Sequence, residues 1–390
     1  MSPSDDAAHH YRVLATMPWE KTLAQRLQEL QPGTTRVGYV YERAEPGTFR
    51  YRCYNMVQAL NSHSEEFSAG YFFLYDLQSI DNLVDHLDVL ILVRVRYDSH
   101  VDRLVRHARI KGIPVLYDLD DNIFDVESTP LLVSSLQQGL SRYGRIEKWV
   151  GVVGRIRESL ELVDGIITTT AFLQGQLQQT FDVPVWVVPN FLNHEQWDYS
   201  ATLRGQQLTP ETEAPIIGYF SGSASHNRDY QIAADGLRAV LEYYPQARLR
   251  IAGYLDIPAS LEDFSTRIER LAFMDFLGLQ RAIAEVTLNL SPIQHNVFAH
   301  SKSELKYFEA AAVGVPTVAS PAPVFTETIS HGDNGYLADA AQWPETLLGA
   351  LADTPGRTHV ADRALAHVAE HYVASTVAPR IVAVLGQLGS

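Results

Sequence analysis

Cysteine is almost absent from this chain: Cys53 is the only one among 390 residues. An internal disulfide framework is therefore excluded, and a reducing, cytoplasmic setting is expected. Basic residues are also scarce, 31 against 46 acidic ones, for a formal net charge of −15. A nucleic-acid partner, which needs a basic footprint for phosphates, is not expected. Neither is passive attachment to anionic lipid. No apolar run is long enough to span a membrane; LDVLILV stops at Arg94. The opening MSPSDDAAHH is polar and acidic, unlike a secretory signal. Also missing are the H-E-x-x-H zinc spacing, the dinucleotide and P-loop fingerprints, and the G-x-S-x-G elbow. Zinc-hydrolase, NAD, ATP and serine-hydrolase chemistry are thus not indicated.

What the chain does have is length and an α/β rhythm. Its size suggests two domains of about 150–200 residues each. Residues 1–17 read as a loose leader and 16–31 as an amphipathic helix ended by Pro32-Gly33, so 1–35 stand apart. From Arg36, strands alternate with helices up to residue 189, with a longer helical stretch over 131–163. Residues 190–214 read as a linker, and the alternation restarts over 215–360. The halves open alike, Val-Gly-Tyr-Val at 37–40 and Ile-Gly-Tyr-Phe at 217–220, each leading through a polar loop into a helix. Strands joined by helices imply parallel sheets, so the fold class is α/β: two doubly wound, Rossmann-like domains facing a cleft. Ligands of such sheets bind at the carboxyl ends of the strands.

The stretch HSKSELKYFEAAAVGVPTVAS, residues 300–320, carries the most information. Ser301 and Glu304 have the spacing of a capping box, which predicts a helix beginning just after Ser301. Gly314 fits the residue past its end, and 315–319 a short buried strand. Lys302, Lys306 and Glu309 form one stripe at i, i+4, i+7. Free N–H groups at Lys302 and Ser303 would start that stripe with a preference for anions. Lys302 and Glu309 lie roughly 10 Å apart along such a helix, the reach of a nucleoside diphosphate. A solvated face with helix ion pairs is the plainer alternative.

The run FEAAAVGVPTVAS, followed by Glu327 and HGDNGYLA, resembles the donor-binding segment of group 1 (family 4) glycosyltransferases of the GT-B fold. The resemblance implies a hexosyl- or deoxyhexosyltransferase that takes a nucleotide sugar to a glycan or other hydroxyl-bearing acceptor. It implies Glu309 on the ribose diol, no essential metal and no separate cofactor. It also implies that the last helix, within 361–390, returns to the first domain. The family usually carries a second Glu eight residues earlier; Ser301 stands there.

Other candidates follow strand ends. The loop SGSASHNRD offers Gly222 for close backbone approach, with His226 and Arg228 as charge for a diphosphate, a plain surface loop being the alternative. YDLDDNIFD places Asp118, Asp120 and Asp121 where a base or a stabiliser of positive charge would face the donor. A cap plus a solvated turn, or a Mg²⁺ site, are the alternatives, and no metal is expected. Arg50, Arg52 and Asn55 open a helix on the acceptor or phosphate side; Arg50 and Arg52 point apart unless the turn is irregular. Epimerisation or hydrolysis of a nucleotide sugar, or binding without catalysis, remain as rival functions.

Overall fold

In the computed structural model, the described residues are 11–78, 83–136, 142–206, 208, 214–221, 227–253 and 255–389. Two six-stranded sheets dominate them. The first holds β1 (Thr35–Tyr41), β2 (Phe67–Phe73), β3 (Val89–Val93), β4 (Val115–Leu119), β5 (Gly165–Thr168) and β6 (Val185–Val187), in the order β2-β1-β3-β4-β5-β6. The second holds β7 (Ile216–Phe220), β8 (Arg248–Ala252), β9 (Ile268–Leu271), β10 (Leu288–Ser291), β11 (Thr317–Ala319) and β12 (Tyr336–Leu337), in the order β12-β11-β10-β7-β8-β9. Every pairing is parallel. Strands covered on both faces read as continuous apolar runs, and β3, with all five residues buried, is the clearest case.

The helices that matter here are numbered along the chain. They are α1 (Leu23–Gln28), α2 (Asn55–His63), α3 (His194–Arg204), α4 (Asn227–Ile232), α5 (Phe276–Ala284), α6 (Leu305–Ala312), α7 (Thr354–His371) and α8 (Ala374–Gly386). A π-helical turn, Arg50–Tyr54, leads into α2. The last long helix, α8, packs against α2. Val377, Ile381 and Leu385 of α8 share a core cluster with Val57 and Leu60 of α2.

Three expectations are corrected. The part of the leader that is described is tied down: Tyr11 donates to Glu285, and Val13 and Leu14 donate backbone N–H groups to Asp275. Gly278 is needed there, because a Cβ would lie 1.7 Å from the Tyr11 carbonyl oxygen. The first helix is shorter than 16–31: Thr22 and Gln25 form the capping box that starts α1. The linker contains α3, which packs against α5 because Leu203, Ser200 and Gln196 are buried along one side.

Candidate functional site

The carboxyl edges of the two sheets face one cavity of about 650 Å³, within the range usual for small-molecule sites. From the first domain it is lined by Thr48, Arg50, Tyr51, Arg94, Asp120 and Asp121. Ser221, Asp229, Lys302, Ser303, Lys306 and Glu309 line it from the second, with Gly253 behind. Gly253 has φ +96, and a Cβ there would sit 2.1 Å from the Ser221 carbonyl oxygen, so only glycine lets β7 and β8 end this close together.

The second-domain wall is built by the loop before α6. Its start differs from the capping-box expectation. Ser301 instead closes a short turn, Val297–His300, and its hydroxyl donates to the Val297 carbonyl at 2.8 Å. The N–H of Lys302 is spent on Ala299. Glu304 takes the cap position of α6 without a side-chain cap bond. Burial pushes its carboxyl up to about 7. The helix end follows expectation: Gly314 has φ +77, and the N–H groups of Gly314 and Val315 close on Ala311 and Ala310.

Lys302, Lys306 and Glu309 all reach the cavity. Lys302 extends over the Phe298 ring to Asp121, Nζ to Oδ1 3.1 Å. Lys306 is half-buried above the Tyr219 ring, and desolvation lowers its pKa against the pull of Asp229. Asp229 is buried and accepts from the backbone and side-chain nitrogens of Gln294. Ser303 accepts from Asn190 at 3.0 Å. Glu309 is buried, and one of its oxygens, Oε1, accepts from Arg50 at 3.2 Å, from Gln196 at 3.3 Å and from the Tyr51 hydroxyl.

The first-domain wall sorts the remaining candidates. Asp120 and Asp121 follow β4 into the cavity. Asp120 accepts from Thr48 at 2.9 Å and from Arg94 at 3.2 Å. Arg94 also lies 3.6 Å from Asp121 and has φ 50, a left-handed conformation uncommon outside glycine. Asp118 is placed beneath this wall. It is fully buried and paired bidentately with Arg52 at 2.8 and 2.9 Å. Burial raises its carboxyl to about 6 against the Arg52 charge. Arg52 also donates to the Val188 carbonyl and to Asn190.

The π-turn is why Arg50 faces the cavity while Arg52 faces the sheet. Asn55 is fully buried as well, donating to the Phe191 carbonyl and accepting from Asn193. It fixes the segment entering α3. Arg228 is exposed on the first turn of α4 and is not among the lining residues. Gly222 and His226 lie outside the described residues. Tyr51, Asn190, Gln196 and Asp229 were missed by sequence reasoning. Asp229, beside Arg228, and Tyr51, between Arg50 and Arg52, had a local signal; Asn190 and Gln196 are reached through contacts distant in sequence. Among the described residues, no group of three or more His, Cys, Asp or Glu is arranged to hold a metal. No described helix is long and apolar enough to cross a membrane.

Comparison with known proteins fits this architecture. Residues 214–354, which include the whole second-domain wall, match the family model described as glycosyl transferases group 1. No curated protein matches the chain. Among solved structures, HepE from Anabaena in complex with UDP and glucose is similar at 14% identity. The match covers 90% of this chain and 100% of that one, with a TM-score of 0.59. Sucrose-phosphate synthase from Thermosynechococcus elongatus is similar at 15% identity, over 91% and 99% of the two chains, with a TM-score of 0.58. WaaG, a glycosyltransferase involved in lipopolysaccharide biosynthesis, is similar at 12% identity over 89% and 99%, with a TM-score of 0.57. At identities this low, the likeness shows the shared two-domain GT-B fold alone.

Proposed function

We propose that this chain, a group 1 glycosyltransferase by its second domain and a GT-B protein by its fold, moves a hexosyl or deoxyhexosyl group from a nucleoside diphosphate to an acceptor hydroxyl. One observation carries the reading. Lys302, Ser303, Lys306 and Glu309 share a single cavity with Asp120 and Asp121, which lie on the opposite domain.

In this reading the lysines and the start of α6 attract the diphosphate and stabilise the charge that grows on it as the glycosidic bond breaks. Glu309 accepts from the ribose diol. Asp120 and Asp121 face the reacting carbon and stabilise its positive character. Both are engaged with cations, which favours that role over proton abstraction and supports retention of configuration. The acceptor, a glycan end or another hydroxyl-bearing molecule, enters beside Thr48. In this reading Lys302 and Lys306 take the part that a divalent metal plays elsewhere in neutralising a diphosphate, so turnover is expected to survive EDTA. A cytoplasmic location, read from the single cysteine, belongs to the same proposal.

A thermal-shift panel of UDP, GDP, TDP and ADP tests the first half, since a ligand of the folded state raises the melting temperature. Glu309→Ala should abolish the shift. Donor-sugar turnover with candidate acceptors tests the second half, and no transfer with any acceptor would defeat it. Ser301 supports one rival. It is fully buried and bonded to backbone, so no carboxylate stands where the family usually has one. A binding protein without catalysis would shift in the panel and never turn over.

A further inference from the structure

We infer that Arg50, Tyr51 and Gln196 are positioning residues that aim Glu309 at the nucleotide, so that the ribose grip is completed by groups outside the nucleotide-binding domain. The inference rests on the nucleotide reading of Glu309 and deepens it.

A buried carboxylate needs donors to offset its lost hydration. Glu309 has three, and all of them reach the same oxygen, Oε1. No hydrogen bond to Oε2 occurs among the described residues, while the side chain lines the cavity. One oxygen is therefore anchored and the other presented. The anchor is itself rigid. Arg50 donates Nε to the Pro46 carbonyl at 2.9 Å and Nη1 to Gln196 Oε1 at 2.8 Å. Its guanidinium lies 4.1 Å from the centre of the Tyr51 ring and 5.0 Å from that of Phe276. Arg50 and Tyr51 both come from the π-turn of the first domain, and Gln196 comes from α3 in the connection between domains. Withdrawal of the first domain would leave Glu309 without two of its three donors. Affinity for the ribose is then tied to the approach of the domain that carries the acceptor wall.

The test compares UDP, GDP and ADP with their 2′,3′-dideoxy counterparts, binding to the full chain by calorimetry. For the base that binds, the native chain should prefer the ribonucleotide by about 10- to 100-fold, the range of hydrogen bonds to a charged group. Tyr51→Phe removes one hydroxyl and should shrink that preference by up to about tenfold, with the dideoxy nucleotide bound as before. A merely structural role would weaken both nucleotides equally. Arg50→Met should shrink the preference further, and Arg50→Lys should restore part of it. If Tyr51→Phe does not fold, Gln196→Leu gives the same ratio. Preference lost in Glu309→Gln but kept in the Tyr51, Arg50 and Gln196 variants overturns the inference alone. Preference kept in Glu309→Gln overturns the nucleotide reading and the inference with it.

Discussion

Lys302 of the second domain and Asp121 of the first meet across the cavity, Nζ to Oδ1, at 3.1 Å. Both side chains stay partly exposed, 24% and 22%, so the pair is worth about 0–1 kcal/mol and exchanges readily. A diphosphate offering several oxygens would take the lysine from the carboxylate. Asp121→Asn should therefore leave nucleoside diphosphate binding unchanged or up to about fivefold tighter, by that same magnitude. On the proposed reading, in which Asp121 faces the reacting carbon, turnover should fall by about tenfold or more. Calorimetry and initial rates on the same preparation separate the two effects.

Asp118 and Arg52 are expected to act on stability. Each is fully buried, and removing one charge strands the other. Asp118→Asn should cost about 3–5 kcal/mol in chemical denaturation. Turnover per folded molecule should change far less than in Asp120→Asn. The opposite pattern, lost turnover at unchanged stability, would return Asp118 to the reacting centre.

Glu304 sets a pH dependence. Its folded pKa is raised to about 7 by burial, above the ordinary Glu value of 4.5. Between those values the folded chain binds more protons than the unfolded one, so this group's contribution to stability falls as pH rises. The contribution is neutral below the lower value, and the penalty is complete above about 7. Glu304→Gln should flatten the melting-temperature profile over that window and raise its alkaline end. An unchanged slope would mean that the carboxyl ionises without penalty.

Lys306 gives a second pH signature. Its pKa is lowered by desolvation, so its charge disappears as pH rises before that of an ordinary lysine. Nucleoside diphosphate affinity should weaken on the alkaline side, below the usual lysine value of about 10.4. Lys306→Arg should push that limb beyond reach, because a guanidinium keeps its proton. The measurement is the dissociation constant from pH 7 upwards.

Much of this was legible in the chain. The parallel alternation, the matching entries at Gly38 and Gly218, and Gly314 ending α6 follow from local period and backbone need. Of the stripe predicted from helical spacing, Lys306 and Glu309 do lie on α6, whereas Lys302 precedes the helix and reaches the same cavity from the loop. The start of α6 was misread because Ser301 and Glu304 have two ways to be satisfied. The capping box is local, whereas the structure turns Ser301 onto Val297 and buries the Glu304 carboxyl. Sequence spacing cannot weigh a local bond against burial created by distant segments. Gln196 was lost in the same manner. A polar stretch between domains reads as linker until Arg50, 146 residues away, gives it a partner.

The chain's first described residues cross to the far lobe. Tyr11 bonds Glu285, and Trp19 stacks on Phe276 at 5.7 Å while meeting Phe49 and Tyr54 edge-on. Meanwhile α8 crosses in the other direction and covers α2. Each lobe is thus finished by a strand of chain that belongs, in sequence, to the other's side. Neither would be a sound excised module: a fragment cut at residue 214 would bare the apolar seat of Tyr11 and Trp19. Any motion of one lobe against the other would have to either keep these crossed contacts or break them.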